Sequence, residues 1–218
     1  MLFVCFLLAS CRVIGQNNLH CERQASFGVA NICLPMIVGM KECYTDSSIK
    51  AIADKTEYVG NIVLGYYLSD TDYIQRRKLD KIRLSDFCKL YAVNQLKNYS
   101  AIENDLDDMM GAVEASFAKE NWDKVKATIE KQFDSIAIGK PLLIEKYALD
   151  KRDKTFVLLT KYSEGDESVL LSMFLHVLLL QNRIVCFAYY SNYGNEGDLK
   201  TAKDKSNAIV ITLLKNNL

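Results

Sequence analysis

The stretch TFVLLTKYSEGDESVLLSMFLHVLLLQNRIVCFAYY, residues 155–190, decides the fold. Its runs 155–162, 170–180 and 184–190 are apolar and rich in β-branched and aromatic residues, and polar breaks at 165–167 and 181–183 separate them. Breaks so short join antiparallel neighbours, whereas parallel strands need a crossover of about a dozen residues or more. A further run at 142–148, set off by the break 150–154, makes the expected unit a four-strand meander. The nearly unbroken apolar run 170–180 is what a central strand covered on both faces requires, although a buried helix has the same continuity. Beyond the meander, Gly197 and Asp198 open a closing helical region, restarted at Ser206, with Ile209, Val210, Leu213 and Leu214 as its inner surface.

Upstream of the meander the period changes. Between Thr71 and Phe133 three one-sided apolar stripes predict helices. The first is Leu84, Phe87, Cys88, Tyr91 and Ala92 behind a Ser85 cap; the second is Ile102, Leu106, Met109, Met110, Val113 and Phe117; the third is Trp122, Val125, Ile129 and Phe133 behind Asn121. Further upstream, 27–34 reads as a strand closed by Pro35, which has no amide hydrogen to give a ladder. Residues 40–44 can return beside it, Asp46 or Ser47 can cap a short helix carrying Ile49, Ile52 and Ala53, and 58–68 reads as another strand.

The whole chain has 218 residues, half of them hydrophobic, with 27 Lys and Arg balancing 27 Asp and Glu. That composition excludes a disordered chain and a nucleic-acid binder driven by net positive charge, and it suffices for one sizeable core. No repeat or low-complexity linker divides the sequence, so 27–218 is expected to form a single α+β domain: an antiparallel sheet meander with helices packed on it. Residues 16–26 form a polar segment before it.

The N-terminus reads as an address. The apolar run 2–9 matches the core of a signal peptide and is far short of the roughly twenty residues of a membrane span. Two processing readings compete over residues 1–15. Leu8, Ala9, Ser10 and Cys11 resemble a bacterial lipoprotein box, in which Cys11 carries the lipid; alternatively, cleavage falls around Gly15 and Gln16. Neither reading finds a Lys or Arg ahead of the apolar run, which leaves a buried N-terminal strand or helix as the remaining alternative. Either processing route makes the protein extracytoplasmic: secreted, periplasmic or lipid-anchored.

Seven cysteines show no CxxC pair and no metal-ligand spacing. Cys33, Cys88 and Cys186 sit in apolar runs and read as small buried hydrophobes. Cys21 with Cys43 is the pair to test for a bridge.

The order of strand pair, helices, antiparallel meander and final helix resembles the PsbP-like (Mog-type) α/β/α sandwich, closest from Leu170 onward. Members of that fold include extrinsic subunits of photosynthetic complexes and a binder of a small GTPase. The resemblance therefore implies a docking scaffold, and it carries no functional residue onto this chain.

Little in the sequence promises catalysis. Of two histidines, His20 and His176, the second lies in the apolar run with Ser172 and Phe174 on its face. Ser172 and His176 would stand roughly 13 Å apart along a strand, too far for direct activation, and His176 reads as a core histidine satisfied by a backbone or tyrosine partner. Glu103, Asp105, Asp107 and Asp108 begin like a calcium loop, but Met109 falls where the next ligand belongs, and a solvated helix start fits better. Arg76, Arg77, Lys78, Lys81, Arg83 and Lys89 form a basic segment opposed by an acidic one at 103–120. Both read first as solvated helix faces. Asn98, Tyr99 and Ser100 match a glycosylation sequon, relevant only in a glycosylating cell.

The candidate binding residues are Tyr189, Tyr190 and Tyr193, at a strand end running into a Gly and Asn loop. There they could form an aromatic platform for a sugar ring or a protein anchor. The expected function is a bacterial-type interaction module without cofactor or metal, docking a protein or glycan and meeting a membrane only through a lipid on Cys11. The alternative is a hydrolase-like enzyme whose carboxylates and tyrosines converge only on folding.

Overall fold

A computed structural model describes residues 21–76, 86–117, 123, 140–164 and 167–218. Strands β1 (Cys21–Phe27) and β2 (Ala30–Pro35) form an antiparallel hairpin of their own. Seven further strands form one antiparallel sheet: β3 (Met40–Glu42), β4 (Asn61–Ser69), β5 (Asp86–Val93), β6 (Leu142–Tyr147), β7 (Asp153–Glu164), β8 (Glu167–Leu180) and β9 (Arg183–Asn192). Their order across the sheet is β3, β4, β5, β9, β8, β7, β6. Helices α1 (Ser47–Thr56), α2 (Asp70–Gln75), α3 (Glu103–Glu114) and α4 (Glu196–Asn216) pack around it.

The expected α+β meander is present: β6 to β9 are successive antiparallel neighbours. Strand β8 pairs along most of its length on both sides, and its two faces are both buried. Phe174 and Leu178 join Val157, Val185 and Phe187 beneath the hairpin and α4. Leu175, Val177 and Leu179 join Phe156, Leu158 and Leu106 beneath α3. A third cluster, built from Ile49, Ala53, Val63 and Leu68, seats α1 on β4. Asp46 caps α1 through its carboxylate, which accepts from the Ser48 amide at 3.1 Å, as its position before the apolar stripe required.

Four expectations are corrected. The stripe Phe87, Cys88, Tyr91 and Ala92 belongs to strand β5, not to a helix. Cys88, Leu90 and Ala92 face the hairpin side while Phe87, Lys89 and Tyr91 face the other, and a strand apolar on both faces imitates helical spacing. The strand expected at 27–34 holds only from Ala30: Gly28, at φ +64, turns the chain, Phe27 ends β1, and residues 21–26 of the polar segment form the rest of β1. Residues 40–42 pair with β4 and not with that hairpin. Finally, α4 runs unbroken through Ser206.

The bridge is also corrected: Cys21 is bonded to Cys33, with Cα atoms 5.3 Å apart, and Cys43 is a free, buried thiol. Once the chain turns at Gly28, β1 and β2 lie side by side, and Cys21, paired with Pro35 at an irregularity in the register, comes within reach of Cys33, a proximity hidden while 27–34 reads as one strand. Cys88 and Cys186 are free and buried, as expected. The leader expected at 1–15 with Cys11, His20, Leu84 and the Ser85 cap of the first stripe, the third helical stripe, and Arg77, Lys78, Lys81 and Arg83 lie outside the described residues.

Candidate functional site

The three tyrosines do not share an exposed platform. Strand alternation sends Tyr189 under α4, where it is buried beside Phe174, and turns Tyr190 to the opposite face, where it stacks on Phe87 at 4.5 Å between ring centroids. Tyr193 is buried where β9 ends. Burial pushes the phenols of Tyr189 and Tyr190 up from the ordinary value, and Asp86 adds to the effect at Tyr189. Of the three, only Tyr190 keeps partial exposure.

His176 has acquired partners no strand periodicity could announce. Its Nδ1 lies 3.0 Å from Asp153 Oδ1 and 2.8 Å from Thr155 Oγ1, and its Nε2 lies 3.0 Å from Ser206 Oγ. Asp153 and Thr155 sit on β7, directly across from β8, and Ser206 comes from α4. One assignment satisfies every group. His176 Nδ1–H donates toward Asp153 and Thr155, the Thr155 hydroxyl and the Leu149 amide donate to Asp153 Oδ2 at 2.9 Å each, and Ser206 donates to Nε2. A nucleophile, a base and an orienting acid thus stand in hydrogen-bonding order. All four side chains are fully buried, however. Ser206 lies under its own helix, so a substrate carbonyl would have to displace α4 and with it the serine itself. Chemically this is a satisfied polar cluster pinning α4 to the sheet.

The described thiols are no better placed to react. Burial pushes Cys43 and Cys186 up to about 12, and Cys88 in the same direction, so each stays protonated and unreactive. Among the described residues no group of three His, Cys, Asp or Glu side chains could hold a metal ion. The acidic cluster at 103–108 opens α3, with Asp105 accepting from the Ile102 amide at 2.7 Å. Of the basic residues, Lys89 pairs with Glu57 at 2.6 Å and Arg76 with Asp46 at 3.1 Å.

What the molecule does expose is apolar loop tips at one end of the sheet, where β4 and β9 begin and β5 and β8 finish. Backbone hydrogen bonds tie these loops together: Asn94 to Gly60, Lys97 to Asn94, Ala101 to Asn182. Arg183 donates to the carbonyls of Tyr99 and Asn182, and Gln181 exchanges two hydrogen bonds with Asn31 next to the hairpin turn. On this braced framework Val59 is 92 % and Val29 89 % exposed, and Tyr58, Tyr99 and Ile102 are exposed as well. Single apolar side chains on a surface are ordinary; here several stand on successive braced loops. Sequence reasoning passed over them because each stands alone in a turn and only the fold gathers them.

No family model matches the chain, and neither a curated protein nor a solved structure matches it.

Proposed function

We propose that the protein is an exported, non-catalytic interaction module that docks a partner protein through the loops around Tyr99. The single observation carrying this reading is the set Val29, Tyr58, Val59, Tyr99 and Ile102, large apolar side chains held in solvent on loops already braced by hydrogen bonds. Loops fixed before binding lose little conformational freedom on association. Three of the five tips, Val29, Val59 and Ile102, are aliphatic and suit a protein surface, while Tyr58 and Tyr99 could also stack on a sugar ring, so a glycan partner is the second arm of the test.

Three further features support it. The Cys21–Cys33 bridge fits an oxidising compartment, in keeping with a leader removed near Gly15 or lipid-modified at Cys11. The resemblance in element order to the PsbP-like sandwich points to a scaffold. The sole nucleophile, base and acid series on the described residues is sealed in the core.

The test is photo-crosslinking in the cells that make the protein, with the reactive group at position 59 or, as control, at exposed position 211 on α4. A discrete protein adduct from 59 and none from 211 is expected. Equal labelling from both positions, or enrichment by a glycan array in place of a protein adduct, removes the reading. So does hydrolytic turnover of the purified chain that Ser206→Ala abolishes, which would restore the enzyme alternative. Intact mass of the same material reads the export arm separately.

A further inference from the structure

The turn from β8 to β9 sets an arginine into the apolar side of the sheet. Gln181 and Asn182 both take left-handed backbone, at φ +48 and +57, the conformation of a two-residue hairpin turn. Arg183 follows as the first residue of β9, opposite Leu180. Strand alternation puts its side chain on the face of Val185 and Phe187, beneath the β1–β2 hairpin. There it is only 6 % exposed. Its Nε lies against the hairpin turn, since a Cβ added to Gly28 would stand 3.3 Å from it. The guanidinium Nη1 donates to the Tyr99 carbonyl and, at 3.3 Å, to the Asn182 carbonyl, but Nε is buried with no hydrogen-bond partner.

Buried charges in folded proteins are paired, and a buried N–H without an acceptor carries its full desolvation cost. The carboxylates at this end of the sheet are engaged elsewhere. Glu103 pairs with Lys151 at 2.7 Å, Asp107 with Lys154 at 2.6 Å and Glu57 with Lys89 at 2.6 Å. Asp105 accepts from the Tyr99 hydroxyl and the Ile102 amide. Among the described residues neither these nor Asp108 of α3 comes within ion-pairing distance of Arg183. Lys97, whose carbonyl faces Gly28, is exposed and adds a second positive charge beside Tyr99. What Arg183 lacks is therefore an anion, and it lacks one between Val29, the residue after Gly28, and Tyr99, whose carbonyl it holds.

We propose that the partner protein fills this place with a carboxylate: an aspartate or glutamate side chain flanked by apolar residues, entering between Val29 and Tyr99 and reaching Arg183 through the part of it that stays exposed. A carboxylate brings the missing countercharge, and its two oxygens match the parallel N–H groups of a guanidinium. The apolar flanks cover Val29 and Tyr99 and shut out water, so the pair forms in a setting of low dielectric, where it is strong. An arginine enclosed by an apolar rim is also the arrangement in which a few interface residues carry most of the binding energy. The inference rests on the docking reading of the Tyr99 loops and adds what the partner must present to them.

Two measurements test it. In the first, the probe is a peptide of one glutamate between two leucines, acetylated and amidated at its ends, titrated into the full chain while the Nε–H resonance of Arg183 is followed by nitrogen-15 NMR. The same peptide with glutamine is the control, and a saturable shift with glutamate and none with glutamine is expected. An acetylated leucine dipeptide with a free carboxyl end is the third arm; a stronger response to it assigns the place to a chain end and overturns the side-chain form. In the second, the photo-adduct from position 59 is measured in Arg183→Lys and in Lys200→Gln, the latter removing an exposed charge at the start of α4. Arg183→Lys should lose the adduct by about tenfold or more, since an ammonium lacks the paired donors of a guanidinium, and Lys200→Gln should keep it. The thermal midpoint shows whether Arg183→Lys folds; if it does not, the titration of the unaltered chain decides alone. An undiminished adduct in folded Arg183→Lys, or equal response to the glutamate and glutamine peptides, overturns the inference and leaves the docking reading standing. Absence of any adduct from position 59 in the unaltered chain removes the docking reading itself, and the inference with it.

Discussion

His176 and Asp153 face each other at 3.0 Å, Nδ1 to Oδ1, and neither side chain reaches solvent. The pair is the hub through which α4, β7 and β8 share their one buried polar cluster. Removing Asp153 strands the imidazole, the Thr155 hydroxyl and the Leu149 amide together, whereas removing Ser206 strands one ring nitrogen. Asp153→Ala should therefore lower unfolding free energy by roughly 3 kcal/mol or more, about 1–3 kcal/mol for each stranded group, and Ser206→Ala by about 1 kcal/mol. Urea denaturation checks the order; equal losses, or a larger one for Ser206→Ala, would show that Asp153 is not the hub.

The Cys21–Cys33 bridge closes a loop with a sequence separation of 12. In the chain-entropy account such a loop stabilises by about 3 kcal/mol. Cys33→Ser or reduction should lower the thermal midpoint accordingly, and Cys43→Ser should leave the bridge intact. Peptide mapping without reductant reads the linkage directly; a peptide joining Cys21 to Cys43 would contradict the structure.

Gly28 combines φ +64 with a site where an added Cβ would be driven into the Lys97 carbonyl oxygen and approach Arg183 Nε. Gly28→Ala should cost on the order of 2 kcal/mol or more, because both the backbone and its neighbours resist it. By contrast Gly39, equally left-handed but in open space, should lose only about 1 kcal/mol on the same substitution. Paired denaturation curves for the two variants test the difference.

Asp46 accepts hydrogen bonds from the Ser48 hydroxyl and amide and from Arg76. The Ser48 hydroxyl, then the Arg76 guanidinium, hold its carboxyl down from 3.8 to about 2. The sign follows from linkage: a folded-state value below the unfolded one gives stability that is complete above the unfolded value and lost as pH falls through the folded one. Thermal midpoints should thus drop between about pH 4 and pH 2. Asp46→Asn, which keeps a capping oxygen but not the charge, should flatten that limb.

How far these features could be read from the sequence depended on how local their causes are. The meander was legible because the breaks at 165–167 and 181–183 admit only antiparallel neighbours, and α1 because Asp46 stands directly before its apolar stripe. β5 was misread because Phe87, Cys88, Tyr91 and Ala92 fit a helical stripe as well as they fit a strand buried on both faces. The hairpin was missed because Gly28 lies among apolar residues that look continuous. Neither the partners of His176 nor the gathering of Val29, Tyr58, Val59, Tyr99 and Ile102 leaves a trace in spacing. Thr155 and Ser206 enter from separate elements, and the tips come from turns that meet only when the sheet is assembled.

Asn217, just past α4, places its side chain against Cys33 as a strand would: Oδ1 accepts from the Cys33 amide at 2.7 Å and Nδ2 donates to its carbonyl at 2.9 Å, across 184 positions. β2 therefore stays unsatisfied on that edge until α4 has arrived. For a polypeptide made amino-terminus first, the opening hairpin cannot complete its native contacts until the last helix has been synthesised.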